Sequence, residues 1–188
     1  MSSFADSLPV TLADDFVAQL AGLAPDGATA ALRAFRGDAT RHTQGSHDAL
    51  FSNDVADMTL RERLYAAWYA ALLSNAEQTA LAYRGRLLAL AAATEAEVAA
   101  TNSLLDAIAE HRAAPIASIA STDERLTAIL LHTEALTLRP AATGKPALAT
   151  LRAAGLTTRA IVALSQLVAF VTYQVRVVAA LRALEARA

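Results

Sequence analysis

Directly after the apolar run LYAAWYAALL, the stretch LLSNAEQTALAYRG places five polar residues close together: Ser74, Asn75, Glu77, Gln78 and Thr79. Glu77 brings a carboxylate to this point, a group capable of general-base work. Tyr83 lies four residues after Thr79, so both side chains project from one helix face. There a phenol can donate a proton or hold a carboxylate. Arg176 is the only charge in a long apolar helical stretch. A guanidinium in such surroundings needs an anion, either an internal Asp or Glu or a bound carboxylate or phosphate. Glu77, Tyr83 and Arg176 are therefore the binding candidates.

Each of these residues also has a structural reading. Ser74-Asn75-Ala76-Glu77 fits a capping box, in which the carboxylate is held charged and is poorly tuned as a base near neutral pH. Partly buried tyrosines commonly have a satisfied hydroxyl, and internal pairing is the commoner fate of a buried arginine. Tyr65, Trp68 and Tyr69 fall at spacings of three and four, which predicts ordinary helix-face packing. His42, His47, His111 and His132 show no metal-ligand spacing, so no metal site is expected. Neither a Gly-rich phosphate loop nor a Gly-x-Ser-x-Gly elbow is present.

The chain of 188 residues has no cysteine, which removes disulfides, thiolate metal sites, iron–sulfur clusters and thiol catalysis. Hydrophobic residues make up 55% and aromatics 5%, with Ala and Leu dominant, the composition of a helical protein. A net charge of -2 supplies no field to attract nucleic acid or an anionic membrane, so neither is an expected partner. The opening MSSFADSLPVTLADD lacks a basic region followed by an apolar core, and the expected location is cytoplasmic. No cofactor is called for.

The elements that must position these groups are marked by their ends. Thr59-x-x-Glu62, Thr94-x-x-Glu97 and Ser121-x-x-Glu124 fit capping boxes, each before an apolar-periodic run. Thr11 to Leu23 and Asp26 to Arg36 read as short helices, and GDATRHTQGS, Gly37 to Ser46, reads as a loop. The segment Thr59 to Ala93 exceeds ordinary helix length, and the Ser74 box predicts a second helix starting there. Asp123 to Leu138 is helical and ends at Arg139-Pro140. Pro146 suits the first turn of a helix reaching Ala154, with Gly155 as its left-handed cap. A last helix runs from about Thr158 towards Glu185. Its uncharged stretch Ala160 to Val175 is too short and too polar for a spanning segment and reads as buried on most sides. Sustained period-2 alternation is missing, so the fold class is all-α.

Residues 59–87, TLRERLYAAWYAALLSNAEQTALAYRGRL, together with DERLTAILLHTEALTLRPAA and LATLRAAGLTTRAIVALSQLVAFVTYQVRVVAAL within 123–181, resemble the carboxymuconolactone decarboxylase superfamily, which includes the AhpD-like alkylhydroperoxidases. That pattern has an L-R-E-R-E start, then N-G-C-x-x-C-x-x-x-H opening a new helix. Later come D-x-R-x-x-A-L-L-x-x-A-E-K-L-T, L-R-A-A-G-L-S-D-x-E-I and F-N-F-x-N-R. The resemblance implies a single AhpD-like helical domain of two pseudo-equivalent halves, about residues 1–93 and 94–188. A weak echo at a spacing of 96 fits: Leu60, Arg63 and Ala67 reappear as Leu156, Arg159 and Ala163. It also implies a homo-oligomer, whether dimer, trimer or hexamer.

Active members use two cysteines at a helix start, with a histidine and a glutamate as proton carriers. In this chain the cysteine positions hold Ala76 and Thr79, the histidine position Tyr83, and the glutamate of L-R-E-R-E falls at Leu64. Gln78 takes the place of a second histidine that some members carry. Arg176 matches the family arginine, while Thr172 and Val175 replace its asparagines. The resemblance thus implies a scaffold that has lost thiol-peroxidase chemistry and serves as a binding or assembly partner, with an active paralogue as one candidate subunit. The family's decarboxylase branch works without the cysteine pair. The alternative is accordingly a cofactor-free acid/base enzyme, a decarboxylase or isomerase acting on a small carboxylated or lactone-like substrate through some of Glu77, Tyr83 and Arg176.

Overall fold

The computed structural model describes residues 10–55, 57–110 and 123–187. Among them every regular element is helical: α1 (Phe16–Ala21), α2 (Ala28–Phe35), α3 (Gly37–Phe51), α4 (Leu60–Leu73), α5 (Glu77–Leu90), α6 (Glu95–Glu110), α7 (Glu124–Leu138), α8 (Lys145–Ala153) and α9 (Thr158–Glu185), with a short 3-10 turn at Pro140–Ala142. The protein is all-α. The described residues form two compact units, one within 10–48 and 176–187, the other within 49–175.

In the first unit Val17, Ala18, Ala21 and Leu23 pack with Val178 and Leu181 of α9. The helix expected from Thr11 starts later, because Asp15 caps it by accepting from the backbone N–H groups of Val17 and Ala18. The same carboxylate pairs with the Arg33 guanidinium, tying α2 to the start of α1. Arg176 lies on the exposed side of α9. The internal anion anticipated for a buried arginine is not required, since water solvates the group.

The expected loop at Gly37 to Ser46 is instead the first two-thirds of α3. Its inward stripe is Thr40, Thr43, His47 and Phe51, at helical spacing but with three polar members, so a search for apolar periodicity passes over it. The exposed side is supported by the Asp38–Arg41 ion pair at 2.7 Å and by Gln44 donating to Asp48 at 2.7 Å.

In the second unit α4 is buried along most of its length, and α5 and α7 pack against it. Ala66, Ala67, Ala70 and Ala71 are fully buried, and their small side chains admit the neighbouring helices closely. Tyr65, Trp68 and Tyr69 are buried as expected of packing residues, with the Tyr69 hydroxyl donating to Glu134 at 3.0 Å. Arg63, only 2% exposed, donates to the carbonyls of Leu50, Ser52 and Thr59 instead of meeting a carboxylate. Burial, and then the neighbouring Arg86, lower its pKa against an opposing pull from Glu62.

The Thr59–Glu62 capping box forms in full, and Thr94 accepts from the Glu97 N–H at 3.1 Å. The third box falls on Ser121 and Thr122, which lie outside the described residues; within them, Asp123 caps α7 by accepting from the Leu126 N–H at 2.6 Å. Pro146 sits in the first turn of α8, and Gly155 takes φ 80° after it, where a Cβ would be strained. Helix α9 has the expected bounds and is long and apolar enough to cross a membrane by length and composition alone. Within its most apolar window 44% of residues are buried. That burial is one face, along Ala160, Leu164, Leu167, Val171, Gln174 and Val178, rather than most sides.

Candidate functional site

The polar run at the α4–α5 junction divides its work differently from a capping box. Ser74 ends α4, and its hydroxyl donates back to the Ala70 carbonyl at 2.8 Å. Asn75 follows with φ 55°, in the left-handed conformation that asparagine tolerates better than most residues. The Ala76 N–H then donates to Ala71 and the Asn75 N–H to Leu72, the crossed pair of bonds of a Schellman turn. Helix α5 begins at Glu77 with Ala76 as an N-cap that offers no side-chain acceptor. The anticipated Ser74–Glu77 box is therefore absent, because Ser74 serves the helix behind it. Glu77 is left exposed, with no hydrogen-bond or ion-pair partner among the described residues.

Two faces of α5 separate the candidate residues. One carries Glu77, Ala80, Leu81 and Arg84, at i, i+3, i+4 and i+7. This face, with Trp68 and Leu72 of α4 and Ala109 near the end of α6, borders a cleft of about 390 Å³. Asn75 and Ala76 form its edge at the junction. Arg84 reaches α6, donating to Asn102 at 2.8 Å and pairing with Asp106 at 2.8 Å. Its charge is thereby compensated within the protein.

The other face points inward with Thr79, Tyr83 and Leu87. Tyr83 is 0% exposed, stacks on Phe51 at 5.3 Å between ring centroids, and donates its hydroxyl to the Gln174 Oε1 at 2.7 Å. Burial drives its pKa well above the ordinary phenol value, against smaller opposing effects of Arg86 and of the bond to Gln174. A phenol so placed neither reaches a substrate nor gives up a proton near neutral pH. Thr79 Oγ1 and Gln174 Nε2 are buried without a partner among the described residues. Leu64 is packed inside α4.

The structure thus sets Ala76 and Glu77 beside one open cleft, encloses Thr79 and Tyr83 in the core, and holds Leu64 as a packing residue. Arg176 belongs to the other compact unit. Sequence reasoning missed Gln174 as the partner of Tyr83, although it is one of only two amides, with Gln166, within the uncharged Ala160 to Val175 stretch. It also missed Arg84, seven residues from Glu77 and hence on its face. His132 is buried as well: the Ser165 hydroxyl donates to the Ile161 carbonyl at 2.9 Å and lies 3.3 Å from His132 Nε2, while Nδ1 lacks a partner among the described residues. Burial lowers its pKa.

Comparison with known proteins finds no family model that matches this chain and no curated protein that matches it.

Proposed function

We propose that this protein is a carboxymuconolactone-decarboxylase-like scaffold without thiol-peroxidase chemistry, working as a binding or assembly component through the cleft at the α4–α5 junction. The observation that carries the reading is the separation of the two faces of α5. Residues at the positions of the thiol relay are chemically inert or enclosed: Ala76 has no functional group, and Thr79 and Tyr83 are 1% and 0% exposed. What remains open to solvent is a ligand-sized cleft with a mostly apolar lining, whose volume lies within the roughly 300–1,000 Å³ usual for small-molecule sites.

The same geometry favours binding over the acid/base alternative. That alternative needs Tyr83 beside Glu77 in a shared pocket, yet the phenol is spent on Gln174 in the core. A cytoplasmic homo-oligomer, alone or with an active paralogue subunit, belongs to the same proposal. Exposed apolar side chains such as Phe35, at 84%, and Leu81 and Val162 support an assembly role.

The test is hydroperoxide reduction by the purified chain with a dithiol donor. No rate above buffer is expected, and turnover above buffer overturns the reading. Sedimentation of the same sample reports the assembly: a monomer at all concentrations removes the oligomer from the proposal.

A further inference from the structure

We propose that the cleft at the α4–α5 junction selects small organic cations that carry an apolar body, such as aryl-alkyl ammonium compounds. This rests on the reading of the cleft as a binding site and adds the chemistry of its ligand. Three features lead to it. Trp68, Leu72 and Leu81 line the cleft with apolar and aromatic surface, suited to the body of an amphiphilic molecule.

Charge then decides the sign. Among the described residues two charged side chains line the cleft, Glu77 and Arg84. The guanidinium of Arg84 is neutralised by Asp106 and further bound by Asn102. Glu77 has no partner among the described residues, so its carboxylate is the uncompensated charge of the described lining. The exposed start of α5 pulls the other way, because a helix N-terminus carries the equivalent of about half a positive charge. A full carboxylate in the first turn outweighs that half charge, and the local field stays negative.

The volume fits a compact ligand rather than a protein chain. At about 390 Å³ the cleft holds a single ring with a short tail. The bound pose sets the ring against Leu72 and Leu81 and the ammonium towards Glu77. An anion of the same shape meets the Glu77 carboxylate and is rejected.

Trp68 is the only tryptophan in the chain and lines the cleft, so its emission reports occupancy directly. Three probes of matched shape are titrated into the full-length protein: phenethylammonium, neutral phenethyl alcohol and anionic hydrocinnamate. The cation is expected to bind about fivefold more tightly than the alcohol, the advantage of one partly exposed ion pair, with the anion weakest. Glu77→Gln is expected to bring the cation down to the affinity of the alcohol and to leave the alcohol unchanged. Leu81→Lys, a change at a half-exposed position, is expected to abolish the response to phenethylammonium while leaving the helical circular dichroism intact.

Equal affinity for cation and alcohol, or a Glu77→Gln variant that keeps the cation preference, overturns the charge assignment and leaves the binding cleft standing. Tighter binding of hydrocinnamate assigns the site to the helix N-terminus and also overturns it. No emission change with any probe removes the ligand cleft itself, and this proposal with it.

Discussion

Replacing Tyr83 by Phe tests whether this residue is a core fixture or a displaced catalytic group. The substitution keeps the ring stacked on Phe51 and deletes the hydroxyl that donates to Gln174. Gln174 is 0% exposed and its Nε2 already lacks a partner, so the variant leaves the whole amide unsatisfied in the core. Stranding a buried acceptor in this way costs about 1–3 kcal/mol. For a chain of this size each kcal/mol lowers Tm by roughly 2–4 °C, giving an expected loss of roughly 2–12 °C. Gln174→Leu alone removes the orphaned amide together with the acceptor of the Tyr83 hydroxyl, so it costs less. In the double variant both polar groups are gone, and its stability returns close to that of the parent or exceeds it. Urea unfolding of the four proteins, read by circular dichroism, completes the cycle. A double variant as unstable as Tyr83→Phe, or a Tyr83→Phe variant as stable as the parent, would refute the reasoning.

The two Thr/Ser-x-x-Glu sequences around α4 separate a working cap from an apparent one. Thr59→Ala is expected to cost about 1 kcal/mol, and Ser74→Ala to stay within about 0.5 kcal/mol because Ser74 only bonds back to Ala70; equal losses in urea midpoints would contradict the assignment of the Schellman turn. His132 predicts a pH dependence of stability. Burial places its folded pKa below the ordinary imidazole value of about 6.5, so below that pH the unfolded chain binds the proton more readily than the folded one. Its neutral form contributes no pH dependence above that value, and stability falls as pH drops from there towards the lower folded pKa. His132→Gln is expected to flatten this slope relative to the parent between about pH 7.5 and pH 5, and parallel profiles would show that the site does not titrate this way.

Where the signal was local, the elements could be read directly. Thr59 with Glu62, Pro146 in a first turn and Gly155 after a last one each act within a few residues of themselves, and the helices they bound appear where their spacing places them. Helix α3 escaped because its buried stripe uses Thr40, Thr43 and His47, residues whose burial depends on what lies across from them. The junction misled for a related reason. Ser74 is able to cap forwards or bond backwards, and the left-handed Asn75 decided between them by closing α4 with a crossed pair of hydrogen bonds.

By itself the sequence determined that the protein is helical, that a break falls between Leu73 and Glu77, and that no thiol chemistry is available. These follow from composition, local hydrogen-bond competition and the absence of one side chain. Only the tertiary structure decided that Tyr83 meets Gln174, 91 residues away, that Arg63 is held by carbonyls, and that Glu77 stands open beside Trp68. Burial and partnership are properties of packed surfaces. A carboxylate, a phenol and a guanidinium look equally reactive in a sequence until the fold determines which of them meets water.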